Sequence, residues 1–268
     1  MERNLKIFNK LELSKQYVEQ QGYNVFGVFL YGSQNYNLDD ENSDVDCIAI
    51  TIPTFKEFTL NKSPVSITHI TEEGEHIDIK DIRLVFQTMK KQSINLLEIL
   101  FTDFFIINDK YNNYYSQLLE AKEAIAYYNP ISCVKCAIGM TCRFNERIQN
   151  SEEMSPELNK QLSQVMRLFY FTQTYINGPS FKRSLIPFDL GFVKLIKQGK
   201  VYNNLEEIKK FSDYITHLTR ALVNTPLNYI MFPQTNVEKL LDTISYNIIK
   251  QANNVFLYEQ VFGEIEKA

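Results

Sequence analysis

Two apolar runs, separated by one short polar loop, constrain this chain more than any other feature. The first is Val25-Phe26-Gly27-Val28-Phe29-Leu30-Tyr31, and the second runs from Val45 to Ile52. Short stretches this rich in Val, Ile and Phe read as buried strands. Gly32-Ser33 breaks the first run. The loop from Gln34 to Asn42 is polar apart from Tyr36 and Leu38, and Ser43-Asp44-Val45-Asp46 opens the second run. Side chains two apart on a strand share a face. Asp44 and Asp46 are therefore expected on one face, with Val45 turned into the core.

Two carboxylates side by side at a strand start repel each other, and a divalent cation is the simplest way to offset that. Mg²⁺ suits the spacing, since it takes one or two carboxylates plus substrate phosphates. Gly32-Ser33 fits the other half of such a site. Glycine lets backbone approach a phosphate closely, and the N–H groups of the turn, with the Ser33 hydroxyl, are candidates to hold phosphate oxygens. The plainer alternative is a loop whose aspartates only cap or solubilise it.

This arrangement resembles the DNA polymerase β superfamily of nucleotidyltransferases, whose signature is a Gly-Ser turn followed by Asp-x-Asp on the next strand. The matching residues are Gly32, Ser33, Asp44 and Asp46. The resemblance implies an α/β catalytic domain and two Mg²⁺ ions, with Mn²⁺ as the alternative. It also implies a third acidic residue on a neighbouring strand, as metal ligand and often as base. Asp78 matches, on the polar face of the alternating segment His76-Ile77-Asp78-Ile79-Lys80; its competitor Asp81 reads better as the N-cap of a helix starting at Ile82. Within the superfamily the chain is similar to a phage and bacterial subgroup, the YcgL-like or RlaP-type proteins. Their first motif runs close to GSxxYG…SDxD, and a later one joins a helix N-x-x-x-E-x-L-F to a short strand. Here these read Gly32-Ser33-Gln34-Asn35-Tyr36-Asn37, Ser43-Asp44-Val45-Asp46 and, one residue shorter between Asn and Glu, Asn95-Leu96-Leu97-Glu98-Ile99-Leu100-Phe101, followed by Phe104 to Ile107. The resemblance thereby adds Tyr36 and Ser43 to the nucleotide-binding set. Asn37 stands where the subgroup has glycine; asparagine is the next most tolerant of left-handed backbone.

The chain has 268 residues, of which 44% are hydrophobic and 22% charged, which suits a folded domain or two with a sizeable core. Its net charge of −4 gives no global field inviting nucleic acid. The charge is uneven. Residues 1–110 carry 11 Lys and Arg against 17 Asp and Glu, a net of −6, while residues 111–268 carry 17 against 15, a net of +2. No signal peptide opens the chain and no apolar run reaches membrane-spanning length. With four cysteines (Cys47, Cys133, Cys136 and Cys142), reduced thiols in a cytoplasm fit best, the host's if the chain is phage-encoded. Cys133-x-x-Cys136 lacks a second ligand pair and reads as a helix face rather than a zinc site.

A helix is expected from Leu5 to Gln21, closed by Gly22, and a strand from Val65 to Ile70, followed by a turn at Glu72 to Glu75. From Tyr111 onward the pattern is helical: Asn112–Tyr128, Ile131–Gln149, Pro156–Asn177, Phe188–Gln198, Leu205–Asn224 and Asn236–Glu266. Pro130, Pro156, Pro179, Pro187, Pro226 and Pro233 fall at the joins. The expected organisation is a catalytic domain over 1–110 and an antiparallel helical bundle over 111–268. Arg143, Arg147, Arg167, Lys182 and Arg183 are candidates to meet phosphate or acceptor. Arg167, inside the apolar run Val165 to Phe169, and Lys182 are assigned to nucleotide.

The resemblance implies transfer of a nucleoside monophosphate from an NTP to an acceptor hydroxyl. The first acceptor is an RNA end; a tRNA 3′ end, a protein side chain and a small molecule such as an aminoglycoside stay open. The alternative from another class is a non-catalytic nucleotide-sensing or partner-binding module on the same fold.

Overall fold

The computed structural model describes residues 2–40, 43–71, 76–178, 180–225 and 236–263. It is a mixed α/β structure. A long first helix, α1 (Glu2–Gln20), leads through Gly22, at φ 84°, into β1 (Asn24–Leu30). Then follow β2 (Cys47–Ile52), α2 (Phe55–Thr59), β3 (Ser66–Ile70), β4 (His76–Asp81), α3 (Ile82–Lys90), α4 (Ile94–Leu97) and β5 (Phe105–Ile107). The five strands form one sheet in the order β3-β4-β2-β1-β5. β2 and β4 pair in parallel and every other pair is antiparallel.

β1 and β2 lie inside the sheet with both faces covered, which is why they read as near-continuous apolar runs. Val28, Leu30, Cys47, Ala49, Ile77 and Ile79 pack on one face against Ile7, Leu11 and Val18 of α1. Phe26, Phe29, Ile48, Ile50 and Ile52 join the larger cluster on the other face. Val25 belongs with Val28 although the two are three apart. The β1–β2 register shifts between Val25 and Gly27, so one extra residue is absorbed and the alternation resets. At Gly27 the neighbouring strand comes so close that a Cβ would sit 2.7 Å from Ile107 Cδ1 and 2.9 Å from the Ile106 carbonyl oxygen.

Eight further helices complete the described residues: α5 (Asn112–Glu120), α6 (Lys122–Ala126), α7 (Pro130–Gln149), α8 (Pro156–Asn177), α9 (Phe181–Leu185), α10 (Leu190–Lys197), α11 (Leu205–Ala221) and α12 (Val237–Gly263). Pro130 and Pro156 sit in the first turns of α7 and α8, with Asn129 and Ser155 as caps accepting the amide hydrogens of Ser132 and Leu158. α7, α8 and α11 pack on one another, and α10 packs on α8. The larger buried cluster is continuous from Phe26 and Ile50 of the sheet to Leu168, Ile215 and Ile248 of these helices.

Several expectations shift. The segment expected as one helix over 112–128 breaks at Ala121 (φ −95°, ψ 0°), after which Glu123 accepts the Phe181 amide hydrogen at 3.0 Å. Phe181–Leu185, with no reading in sequence, forms α9. β2 starts at Cys47, not Val45, so Asp44 and Asp46 stand in the extended lead-in; the ladder reaches Asp46 only through its carbonyl, which accepts from the Tyr31 amide at 3.2 Å. The turn expected at Glu72 to Glu75, the joins at Pro179, Pro226 and Pro233, and the last residues of the final helix lie outside the described residues. Among the described residues, no helix is long and apolar enough to cross a membrane.

The tight approach at Gly27 makes a direct prediction. Gly27→Ala should overpack the β1–β5 seam and lower stability by about 1–3 kcal/mol, read as a lower midpoint in urea with an unchanged denaturant slope.

Candidate functional site

A cleft of about 410 Å³ opens where the β1–β2 loop faces α7, α8 and the end of α10. The loop side is acidic, with Asp40, Asp44 and Asp46; the helices bring three cations, Lys160, Arg167 and Lys197, and one carboxylate, Glu157. Tyr31, Gly32, Ser33, Tyr36 and Ser43 complete the loop side, and Met140 and Phe144 form an apolar strip from α7.

The loop is built rather than slack. Gly32 takes φ 85° and ψ −152°, backbone that only glycine adopts readily, and a Cβ there would stand 3.3 Å from Asp46 Oδ2. Ser33–Tyr36 follows as a 3₁₀ turn, closed by Asn37 at φ 58° and ψ 27°. The asparagine thus holds the left-handed position that the sequence assigned to it. Arg3 of α1 bonds Gln34 and Asp39. From the other flank, Lys197 donates to the Leu38 carbonyl at 2.8 Å and to Ser43 Oγ at 3.1 Å, and pairs with Asp40 at 2.8 Å.

Beneath the loop lies Glu98, fully buried. Its Oε1 accepts the Gly32 amide hydrogen at 2.8 Å, and its Oε2 accepts the Tyr36 hydroxyl hydrogen. Burial pushes the Glu98 carboxyl up to about 7, against the opposing pull of those two bonds and of Arg167. Burial likewise holds the Tyr36 phenol well above its ordinary range. Arg167 is 2% exposed and sits 4.1 Å over the Tyr36 ring. Its Nε donates to Gln164 Oε1 at 2.7 Å, while its Nη1 is buried without a hydrogen-bond partner. Gln161 Oε1, on the same cleft, is buried and unpartnered too. Orphaned buried polar atoms carry a cost, and both belong to residues that line a cavity sized for a small molecule.

The carboxylates divide. Val45 is buried and Asp44 exposed, while Asp46, expected on the same face as Asp44, is only partly exposed. The Asp46 pKa is raised by burial first, then by the charges of Asp44 and Asp78; His76 and Lys160 pull it down. Neither Asp44 nor Asp46 makes an ion pair among the described residues. This donor set, two neighbouring carboxylates that form no ion pair and of which Asp44 raises the cost of ionising Asp46, would suit Mg²⁺ with its remaining ligands from water and phosphate. Asp78 is near enough for its charge to act on Asp46, but its carboxylate is otherwise engaged. Its carboxylate accepts from Tyr31 at 3.1 Å and from Thr68, lies 3.7 Å from Lys80 Nζ, and is absent from the cleft lining. Among the described residues no group of three or more His, Cys, Asp and Glu stands close enough to hold a metal. Asp81 caps α3 through the Arg83 amide, as its position before Ile82 indicated.

Two further assignments are corrected. The Gly32 amide is taken by Glu98, so it is not free for phosphate; Ser33 keeps its place on the cleft. Lys182 lies outside the cleft lining, bound to the Asp103 carboxylate at 2.6 Å and 2.9 Å. Arg143, Arg147 and Arg183 also lie outside that lining. Sequence reasoning gave no role to Lys160, Gln164 and Lys197, and carried Glu98 only as part of the helix motif over Asn95 to Phe101. Glu98 carried a signal, a lone acid within Leu96, Leu97, Ile99 and Leu100, of the kind that singled out Arg167.

The chain matches no protein-family model and no curated protein.

The raised Glu98 pKa has a measurable consequence. Between about pH 4.5 and pH 7 the folded protein keeps a proton on Glu98 that the unfolded chain releases. This contribution to stability is complete below the unfolded value and is lost as pH rises through about 7. Glu98→Gln removes the titration, so its melting temperature should fall less than the parent's between pH 5 and pH 8, by thermal scans in matched buffers.

Proposed function

We propose that this protein is a Mg²⁺-dependent nucleotidyltransferase of polymerase β type, moving a nucleoside monophosphate from an NTP to an acceptor hydroxyl, with an RNA end as the first acceptor. The observation that carries the reading is the cleft's two-sidedness. Asp44, Asp46 and the Gly32 turn line the same cleft as a buried arginine whose Nη1 has no protein partner. The acidic side suits a cation and the cationic side suits an anion, and a Mg²⁺-bound triphosphate offers both.

In this reading Asp44 and Asp46 hold the metal, which supplies charge neutralisation on the phosphate oxygens when bound. Arg167 Nη1 and Lys160 meet the phosphate oxygens, Ser33 contacts them from the loop, and Met140 and Phe144 shield the nucleoside. The acceptor oxygen bonds to the α-phosphorus as the bond to the pyrophosphate oxygen breaks, and the hydroxyl proton passes to a base. Tyr31 links Asp78 to the cleft edge.

A second reading keeps the nucleotide and drops the transfer. Asp78, the expected third carboxylate, is tied up by Tyr31, Thr68 and Lys80, which favours a nucleotide-sensing module.

Asp46→Asn separates these. It preserves shape and removes one of two repelling charges, so the metal-free variant should melt at or slightly above the parent's temperature. Mg²⁺ with NTP should stabilise the parent and the variant much less. Transfer of α-labelled nucleotide to total RNA or lysate protein should fall by roughly 10²-fold or more. A parent that binds Mg²⁺·NTP but labels nothing supports the sensing module; a variant transferring at the parental rate refutes the metal assignment.

A further inference from the structure

A cleft with an acidic side and a cationic side binds one ligand well only if the separation of the sides is held. Here the sides come from distant parts of the chain: Asp44 and Asp46 follow the Gly32 turn, and Arg167 stands in the middle of α8. A single side chain bridges the interval from below. Glu98 Oε1 holds the Gly32 amide, which sets the turn that packs against Asp46. Glu98 Oε2 holds the Tyr36 hydroxyl, and the Tyr36 ring is the surface on which the Arg167 guanidinium rests. With its face on that ring and its Nε bonded to Gln164, Arg167 has Nη1 left to offer a ligand.

Backbone does not require an acid here. Position 98 starts a 3₁₀ turn after α4, and its neighbours Leu97, Ile99 and Leu100 are all buried apolar residues. A leucine would suit the packing, whereas a buried carboxylate is costly unless its oxygens are bonded. Those bonds go to two parts of the loop, the Gly32 turn beside Asp46 and the Tyr36 ring beneath Arg167.

We propose that Glu98 is the positioning residue of this cleft, fixing the Gly32 turn beside the carboxylate pair and, through Tyr36, the guanidinium of Arg167. Glu98 itself does not line the cleft and touches no ligand. The kinetic arm of the test rests on the nucleotidyltransferase reading; the arm on the turn does not.

The experiment compares the parent with Glu98→Ala, Glu98→Gln and Tyr36→Phe. Amide hydrogen exchange is followed on ¹⁵N-labelled protein without ligand, and transfer is assayed with Mg²⁺·ATP. In Glu98→Ala the Gly32 amide should exchange at least ~10-fold faster, with the sheet amides of Val28 and Ile50 unchanged; Glu98→Gln, which keeps an acceptor, should retain most of the protection. A merely structural role would shrink the active fraction and lower kcat alone. A positioning role should raise the KM for ATP by ~5-fold or more in Glu98→Ala, with recovery in Glu98→Gln. If Glu98→Ala does not fold, Tyr36→Phe carries the test, since it removes only the hydroxyl bond and should raise KM in the same direction. Unchanged Gly32 exchange in a folded Glu98→Ala, or parental KM in both Glu98→Ala and Tyr36→Phe, overturns the proposal. A parent that transfers no nucleotide, together with a Gly32 amide exposed by Glu98→Ala, refutes the transfer reading and supports Glu98 as what holds the turn.

Discussion

The bond from the Gly32 amide to the buried Glu98 carboxylate is where the sheet, the loop and the helices meet. A carboxylate with no exposure gives up its hydration, and in a low-dielectric interior each hydrogen bond that replaces it counts for more than in water. Both oxygens of Glu98 are bonded, one to the backbone of the turn and one to Tyr36. The positive charge of Arg167 beyond the ring adds to the compensation. Displacing any member would leave another buried and unsatisfied, so the loop geometry follows from the satisfaction of one acid.

The remaining charges fall into place around that anchor. Asp46 carries a raised pKa because burial and two other carboxylates act on it together. Lys197 is spent on the loop itself, bridging Leu38, Asp40 and Ser43, and so ties the end of α10 to the lead-in of β2. Lys160 and Arg167 project from α8 and retain charge facing the cavity. The helical half therefore does more than cover the sheet: it provides the cationic side, and its apolar faces merge with the sheet's in one continuous cluster.

Features set by neighbours along the chain were legible in the sequence. The buried strands, the glycine at the turn, Asn37 in left-handed backbone, the Asp81 cap and the helix starts at Pro130 and Pro156 all depend on local φ/ψ preference or short-period burial. The inward Val45 beside an exposed Asp44 is of the same kind. Arg167 was legible for a related reason, because a charge inside an apolar helical run has to be accounted for by something.

Tertiary structure decided the partners. Lys182 and Lys197 look alike in sequence, yet one meets Asp103 on the outer surface and the other reaches the loop. Asp78 alternates as a strand residue should, but its register opposite Thr68 and below Tyr31 gives it bonds that draw it from the cleft. Glu98 stood in plain view within Leu96 to Leu100, and nothing local announces that its oxygens lie beneath a turn 66 residues away. Sequence by itself determined backbone conformation and which faces are apolar, because those are set within a few residues. Which charges meet, and which amide a buried acid occupies, only the tertiary structure decided, since those pairings are set by how whole elements pack.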